Sequence, residues 1–145
     1  MTNRLVFKMI HKKAYESHLQ AYIVQNISNS ALNTLLIPNP KKYFWLGNEV
    51  GCGVGMQKID ILVMQNTNKK LYINIIELKC KNPTIDIFEQ LQKYIQWLIE
   101  YICPLYINSE IEITPIIIAP FDNESKLINK EFNNSIKTNN IKLNS

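Results

Sequence analysis

The chain has 145 residues, of which 46% are hydrophobic and 19% charged, and its formal net charge is +4. This length favours one domain over 1–145, able to bury about 70% of the surface that its unfolded form exposes. The composition excludes a disordered chain. No apolar run approaches 18 residues and the start lacks a signal-peptide core, so we expect an intracellular, cytoplasmic protein with no membrane partner. The positive charge suits a polyanionic partner without requiring one.

The cysteines and histidines form no recognisable metal-binding pattern. Cys52, Cys80 and Cys103 are widely spaced and include no C-x-x-C pair. His11 and His18 have no partner spacing that suggests catalysis or metal binding. Zinc and a disulfide framework are therefore both disfavoured.

The first half of the chain predicts a helix, a loop and a strand. Apolar residues at helical spacing predict an amphipathic helix from about Lys12 to Ile27. Ser28 to Lys42, with two prolines, is expected to be a loop. Tyr43 to Leu46 is expected to be a first strand, after which four glycines between positions 47 and 55 indicate a flexible connection. The spacing of Gly51, Gly53 and Gly55 resembles a dinucleotide-binding loop, but a strand follows instead of a helix, so that interpretation fails.

Two strands and a long helix are expected next. The strands are Gln57 to Met64 and Leu71 to Leu78, joined by a polar hairpin loop over residues 65–70. Asn82-Pro83-Thr84 offers an N-cap and an early proline for the helix. That helix should reach about Ile102, with Pro104 just beyond its end and with a core stripe of Ile85, Phe88, Leu91, Ile95, Leu98, Ile99 and Ile102.

The C-terminal part predicts a strand, a weaker helix and an edge strand. Ile111 to Ala119 is nearly continuous in β-branched residues, which is typical of a buried strand. Glu124 to about Lys137 is the weaker helix, and Asn140 to Asn144 is the short edge strand. The whole order predicts an α/β fold, a mixed sheet flanked by helices, with its core over about 12–120.

The predicted hairpin brings two carboxylates onto one face. If the loop is centred between Thr67 and Asn68, opposed residue numbers sum to 135, so Asp60 faces Ile75 and Glu77 is a diagonal neighbour. Lys79, two residues beyond Glu77, points the same way. A register slip of one residue would separate the carboxylates. Charged groups inside apolar strands are costly, and two carboxylates with a lysine suit metal-assisted hydrolysis of a phosphodiester.

The tripeptide Glu77-Leu78-Lys79 is weak evidence when taken alone. Chance predicts about one acidic-x-Lys in a chain of this composition, and Glu124-Ser125-Lys126 has the same spacing in a polar stretch. The alternative is a structural ion-pair cluster at the end of a sheet. The apolar strands around Asp60 and Glu77, followed by Gln90-x-x-x-Tyr94 on the next helix, favour a site.

This series of residues resembles the PD-(D/E)XK nuclease superfamily, with its restriction-endonuclease-like fold. More narrowly, it is similar to the RecB-type nuclease domains of mismatch-directed endonucleases, in which a Gly-rich turn, an Ile-Asp strand, an Ile-Glu-Leu-Lys strand and a Gln-Leu-x-x-Tyr helix follow one another. The resemblance covers about Tyr43 to Pro120 well. It departs at Ile59, where the superfamily's name has proline. It implies an α-β-β-β-α-β core with helices on both faces of the mixed sheet.

The resemblance also implies a catalytic and metal site. Asp60, Glu77 and the backbone carbonyl of Leu78 would bind Mg²⁺, for which Mn²⁺ could substitute. Lys79 would position the attacking water and stabilise charge on the phosphate, and Gln90 would orient the water or the lysine. Glu49 and Glu16 are further candidate metal ligands, and for each a solvated surface position is equally good.

The implied activity is a Mg²⁺-dependent DNA endonuclease acting in DNA repair, recombination or restriction. Lys41, Lys42 and Lys58 are the candidate DNA-contacting lysines, and Tyr94 would either pack beneath the site or touch the DNA backbone. A chain this short leaves specificity to loops, to a homodimer or to a DNA-reading partner subunit.

Several alternatives remain open from the sequence. Within nuclease chemistry, a mismatch or repair nuclease, a Holliday junction resolvase and a small restriction-enzyme subunit are all compatible. A different class is a catalytically silent nuclease fold used as a DNA-binding or assembly module. A protein that acts by protein contact alone is a third class, which no feature of the sequence supports.

Overall fold

A computed structural model of the chain describes residues 16–28, 30–53, 57–68, 70–79, 85–118 and 141–143. In these ranges, the elements follow the predicted order except for one additional helix before the first strand. The elements are α1 (Glu16–Asn26), α2 (Ser30–Leu36), β1 (Trp45–Gly51), β2 (Lys58–Thr67), β3 (Lys70–Leu78), α3 (Ile85–Trp97), β4 (Glu110–Ile118) and β5 (Ile141–Leu143). Within those same ranges, no helix is long and apolar enough to cross a membrane.

The strands form one mixed sheet in the order β1-β2-β3-β4-β5. β1, β2 and β3 are antiparallel neighbours, whereas β4 and β5 are added in parallel. The α3 crossover between β3 and β4 supplies the long connection that a parallel pair requires. β3 is the central strand and is buried along most of its length, as expected for a strand covered on both faces. The predicted mixed α/β architecture is confirmed at this level.

Helices cover both faces of the sheet because β2 and β3 are apolar on both faces. Consecutive residues such as Ile61 and Leu62 enter different cores, as the alternation of a strand dictates. The α3-side core includes Leu62, Ile73, Ile75, Phe88, Leu91, Tyr94 and Ile95. The α1-side core includes Leu19, Ile23, Leu36, Ile61, Val63, Ile76 and Leu78.

The β2–β3 hairpin is tighter than predicted. Its strands run to Thr67 and from Lys70, which leaves a two-residue connection instead of a loop over 65–70. Asn68 has φ 49°, the left-handed conformation that such short turns need and that Asn tolerates. Paired residue numbers sum to 137 instead of 135, as in Ile61 with Ile76. The predicted register was therefore wrong by two residues, which preserves the face of every side chain.

The segment Ser28–Lys42 was wrongly predicted to be all loop, since it contains α2. Leu36 and Ile37 are buried in the α1-side core, and this tertiary contact stabilises a seven-residue helix that has no strong signal of its own. Asn74 on β3 donates a 2.8 Å hydrogen bond to the carbonyl of Leu36, where the helix ends. The buried amide thus supplies the C-terminal cap.

The first strand begins later and extends further than predicted. β1 starts at Trp45 and continues through Gly47 to Gly51, so two of the four glycines lie in a strand and not in a turn. Glu49 interrupts it with φ 52°, a left-handed conformation that costs about 1–2 kcal/mol for a residue with a Cβ. Beyond it, Cys52 donates its N–H to the carbonyl of Gln57 at 3.1 Å and closes the β1–β2 connection.

The long helix changes geometry near its end instead of stopping before Pro104. α3 passes into a π-helical turn over Leu98–Ile102 and then a 3₁₀ turn over Cys103–Tyr106. Pro104 lies in the first turn of that 3₁₀ helix, where its missing N–H costs nothing. The predicted core stripe holds for Phe88, Leu91, Ile95 and Leu98, whereas Ile85 is exposed.

The proposed N-cap at 82–84 and the helix at 124–137 lie outside the described residues. The predicted β4 and β5 are confirmed over Glu110–Ile118 and Ile141–Leu143.

A buried glutamine on β2 fixes the connection between α2 and β1. Gln65 accepts a hydrogen bond from the N–H of Asn39 at 2.8 Å. Its amide donates to the carbonyls of Asn39, Lys42 and Tyr43 at 2.8, 3.1 and 3.3 Å. One side chain therefore satisfies the polar backbone of a segment that has few strand or helix bonds of its own.

We predict that Gln65→Leu destabilises the protein by about 1–3 kcal/mol, because the substitution leaves buried backbone groups without their partner. Chemical denaturation monitored by circular dichroism measures the change. Gln25→Leu, at an exposed position of α1, is the matched control and should stay within about 0.5 kcal/mol of the native chain. Equal effects of the two substitutions would contradict the role assigned to Gln65.

Candidate active site

Two carboxylates meet at the open end of the β2–β3 hairpin. The N–H of Asp60 donates to Oε1 of Glu77 at 3.2 Å. The N–H of Leu78 donates to Oδ2 of Asp60 at 2.9 Å. Each carboxylate thus accepts a backbone hydrogen bond from the other's strand. With the register of the hairpin, Asp60 lies level with Glu77 directly and not diagonally.

Glu77 points toward α3. Its neighbours Ile76 and Leu78 both belong to the α1-side core, so alternation along β3 places Glu77 on the opposite face. Its carboxylate acts on the pKa of Tyr94 and of Cys52, and both of these residues belong to the α3-side core. Asp60 contacts Glu77 directly, so the prediction that the two carboxylates come together is supported by the geometry.

Burial and mutual repulsion make it unfavourable for both carboxylates to be ionised at once. Glu77 is 1% exposed. Burial, followed by the charge of Asp60, raises the pKa of Glu77 to about 8. Burial is also the main cause that raises the pKa of Asp60, and backbone hydrogen bonding opposes it. Near neutral pH the pair therefore retains a proton unless positive charge is supplied from elsewhere.

Lys79 supplies part of that positive charge. It follows β3 directly, and its charge lowers the pKa of both Asp60 and Glu77. Its N–H donates to the carbonyl of Ile118 at 3.0 Å, which holds the backbone at the end of the parallel β3–β4 pair. The side chain is half-buried. Asp60, Glu77 and Lys79 thus lie close together at one end of the hairpin, as predicted.

Gln90 and Tyr94 lie beneath the pair and bond to each other. The Gln90 amide donates to the Tyr94 hydroxyl at 2.6 Å, and this hydroxyl donates to the carbonyl of Lys58 at 2.7 Å. Tyr94 is fully buried, and burial raises the pKa of its hydroxyl. The packing role predicted for Tyr94 fits this position, whereas a DNA contact does not, because the ring is covered. In this structure Gln90 donates a hydrogen bond to Tyr94, and Tyr94 in turn bonds to the backbone at the start of β2.

Gln20 on α1 is a site residue that the sequence analysis missed. Its amide donates to the backbone carbonyl of Asp60 at 3.0 Å, and its side chain is buried. The bond anchors α1 to β2 at the residue whose carboxylate enters the pair. A polar residue on the otherwise apolar face of α1, beside Leu19 and Ile23, is the signal that could have identified it.

Glu49 and Glu16 do not complete a metal-binding cluster. Glu49 lies between the paired positions Asn48–Ile61 and Val50–Ile59, so it is level with Asp60. Its charge acts on the pKa of Asp60. Glu16 begins α1 one turn before Gln20. In the part of the chain that the structure describes, however, no three His, Cys, Asp or Glu residues form a group that could hold a metal ion.

The lysines predicted to contact DNA divide between the two ends of β2. Lys58 is exposed and directly precedes the carboxylate end. Lys41 and Lys42 are also exposed, but Gln65 holds the backbone of Lys42 at the other end of the strand. Gln65 lies five residues from Asp60, about 17 Å along β2. Lys41 and Lys42 therefore lie toward the opposite end of β2 from the carboxylates, and their contact with DNA stays a prediction.

The chemistry of the pair fits Mg²⁺. Mg²⁺ takes oxygen ligands and is commonly bound by one or two carboxylates while it keeps several waters. Asp60 and Glu77 supply two such carboxylates in direct contact, and their shared excess of negative charge is what a divalent cation would neutralise. Leu78, whose N–H already bonds Asp60, is the predicted carbonyl donor.

Comparisons with known proteins give no independent assignment. No family model, curated protein or solved structure matches the chain.

We predict that the stability of the metal-free protein falls as the pH rises from about 5 to 8. The folded-state pKa of Glu77 lies above its ordinary value of 4.5. Between those two values the folded state binds more protons than the unfolded state, so stability is lost with increasing pH. Glu77→Gln removes this titration and should be more stable than the native chain at pH 8, by on the order of a few kcal/mol.

Denaturation at several pH values in the presence of EDTA checks this expectation. Glu89→Gln, at an exposed position of α3, is the control and should retain the decline of the native chain. A Glu77→Gln protein with the same pH dependence as the native chain would contradict the buried, proton-sharing pair.

Proposed function

We propose that the chain is a Mg²⁺-dependent nuclease that hydrolyses phosphodiester bonds in DNA. The single observation that supports this most is the contact between Asp60 and Glu77 at the end of the hairpin, with Lys79 directly after β3. The choice of DNA as substrate, and of the restriction-endonuclease-like superfamily as its family, comes from the sequence resemblance. The mixed sheet, with helices on both faces, is compatible with that family.

The carboxylates are held in advance of any ligand. Backbone N–H groups of Asp60 and Leu78 fix one oxygen of each carboxylate, so other oxygens remain for a cation. Mg²⁺ bound there would polarise the scissile phosphate and lower the pKa of a bound water. Holding the ligands rigidly before binding avoids reorganisation during the reaction.

Lys79 has the position and charge to stabilise a phosphate as negative charge develops on it. The lysine is half-buried, and a cation in a partly desolvated site acts more strongly than one in water. Its backbone bond to Ile118 fixes where the side chain begins. Lys58, exposed at the same end of β2, is placed to contact a neighbouring phosphate of the strand.

Gln90 and Tyr94 support the site from below. The bond from Tyr94 to the carbonyl of Lys58 ties α3 to β2 two residues before Asp60. Gln20 ties α1 to the carbonyl of Asp60 from the other side of the sheet. Two helices thus fix the backbone around one carboxylate, which is what a precisely positioned ligand requires.

We predict that the native chain cleaves DNA with Mg²⁺ or Mn²⁺ and does not cleave it in EDTA. Asp60→Ala and Lys79→Ala should each lower the cleavage rate by at least about 100-fold, since each removes a group that stabilises charge in the transition state. A gel assay on linear, mismatched, branched and single-stranded DNAs measures the rates. That panel also compares the repair, junction-resolving and restriction roles.

The chain offers a matched control for this assay in Glu124-Ser125-Lys126, which has the same acidic-x-Lys spacing as Glu77-Leu78-Lys79. Lys126→Ala should cleave at the native rate. Activity that survives both Asp60→Ala and Lys79→Ala would refute the site. If no DNA is cut but DNA still binds, the catalytically silent binding module is the better function.

A further inference from the structure

A basic and aromatic surface lies at the end of β2 remote from the carboxylates. It consists of Lys41, Lys42, Tyr43 and Trp45, and we call it the aromatic platform. Tyr43 is 100% exposed and Trp45 is 53% exposed, although aromatic rings of this size are usually well covered. Both lysines are exposed beside them.

The backbone that presents these rings is fixed. Gln65 bonds to the carbonyls of Lys42 and Tyr43, and Trp45 pairs with Met64 at the start of β1. The rings therefore project from a held segment and not from a free loop. Rigid presentation lowers the entropy cost of binding.

Gly47 allows the Trp45 ring to lie against its own strand. A Cβ at position 47 would lie 2.6 Å from Cη2 of Trp45, so the indole occupies the space where a side chain would project. One part of the ring thus packs on β1 while about half of the residue stays open to solvent. A flat aromatic surface of this kind can stack against a planar ligand.

The charge around the platform favours an anionic ligand. From Ser17 to Asn48 the sequence contains no Asp or Glu, and Lys41 and Lys42 directly precede the aromatic residues. Lysines that contact phosphates, next to aromatic rings on which bases stack, are the combination used by proteins that bind single-stranded nucleic acid. A purely hydrophobic protein partner would not require the lysines.

The platform lies on the same face of the sheet as the carboxylate pair. Trp45 pairs with Met64, which packs against the α3-side core, and paired residues of antiparallel strands share a face. Glu77 projects from that face as well. Met64 and Asp60 are four residues apart on β2, about 13 Å.

We propose that the aromatic platform binds unpaired nucleotides of a nucleic-acid strand, with bases stacked on Trp45 and Tyr43 and phosphates beside Lys41 and Lys42. The surface is separate from the carboxylate pair, and binding there requires neither a divalent cation nor hydrolysis. With the proposed nuclease activity, it would hold a single-stranded segment of the substrate at a fixed distance from the site.

Fluorescence anisotropy with a labelled 15-nucleotide oligothymidylate, in EDTA, tests the proposal. Trp45→Leu should weaken binding by about 5- to 150-fold, as expected for the loss of one stacked base, whereas Trp45→Tyr should retain most of the affinity. Lys41→Ala should reduce the slope of log affinity against log salt by about 0.7, and Trp45→Leu should leave that slope unchanged.

Tryptophan fluorescence locates the ligand directly. The chain has two tryptophans, so in a Trp97→Phe variant the emission comes from Trp45 alone and should be quenched by the oligonucleotide. Tyr101→Ala removes another exposed aromatic residue, 61% exposed and preceded by Glu100 instead of lysine, and should bind as the native chain does.

Native affinity in Trp45→Leu, or an equal loss in Tyr101→Ala, would overturn the proposal. So would equal dependence on Trp45 for a duplex of the same length, because bases inside a duplex are already stacked on their neighbours. Self-association of the native chain that Trp45→Leu abolishes, measured by sedimentation without DNA, would instead identify a protein interface. Because this binding is measured in EDTA and involves no hydrolysis, failure of the nuclease proposal would not be mistaken for failure of the platform.

Discussion

The cost of burying two carboxylates side by side is the constraint on which the site depends. Asp60 and Glu77 lie level on neighbouring strands, and Glu77 is almost completely covered. Replacing such a pair by apolar residues would commonly be neutral or stabilising. The fold instead surrounds the pair with specific bonds: backbone donors on each carboxylate, Lys79 nearby, and links from α1 and α3 to the adjacent backbone. Strongly perturbed carboxylates of this kind are more frequent at functional sites than in purely structural positions.

The grouping of these carboxylates could be predicted from the sequence because it depends only on the alternation of side chains between the two faces of a strand. The predicted hairpin loop was too long and the register was wrong by two residues. An even error leaves each side chain on its own face, so Asp60 and Glu77 still meet, and they do so more directly than predicted. An error of one residue would have removed the site.

What the sequence could not provide were contacts between distant segments. Gln65 reads as part of a polar turn, yet its partners at Asn39 and Lys42 lie more than 20 residues away, and they are the reason it is buried. The helix α2 is short and is followed by prolines, so its stability comes from Leu36 packing on the sheet and not from local preference. The role of Gln20 was missed for a similar reason: its place on the apolar face of α1 marks a buried polar group, but its partner Asp60 lies 40 residues away.

The β1–β2 hairpin runs between the carboxylate pair and the aromatic platform, and it has an irregularity near each of them. At one end, Gly47 leaves room for the Trp45 ring to lie along the strand. Two residues later, Glu49 adopts a left-handed backbone level with Asp60. Strain of this kind persists only where the surrounding structure enforces it, and it is concentrated at functional sites. Here the flanking pairs Asn48–Ile61 and Val50–Ile59 hold Glu49 in place. Its charge therefore acts on Asp60 without completing a metal-binding cluster among the residues that the structure describes.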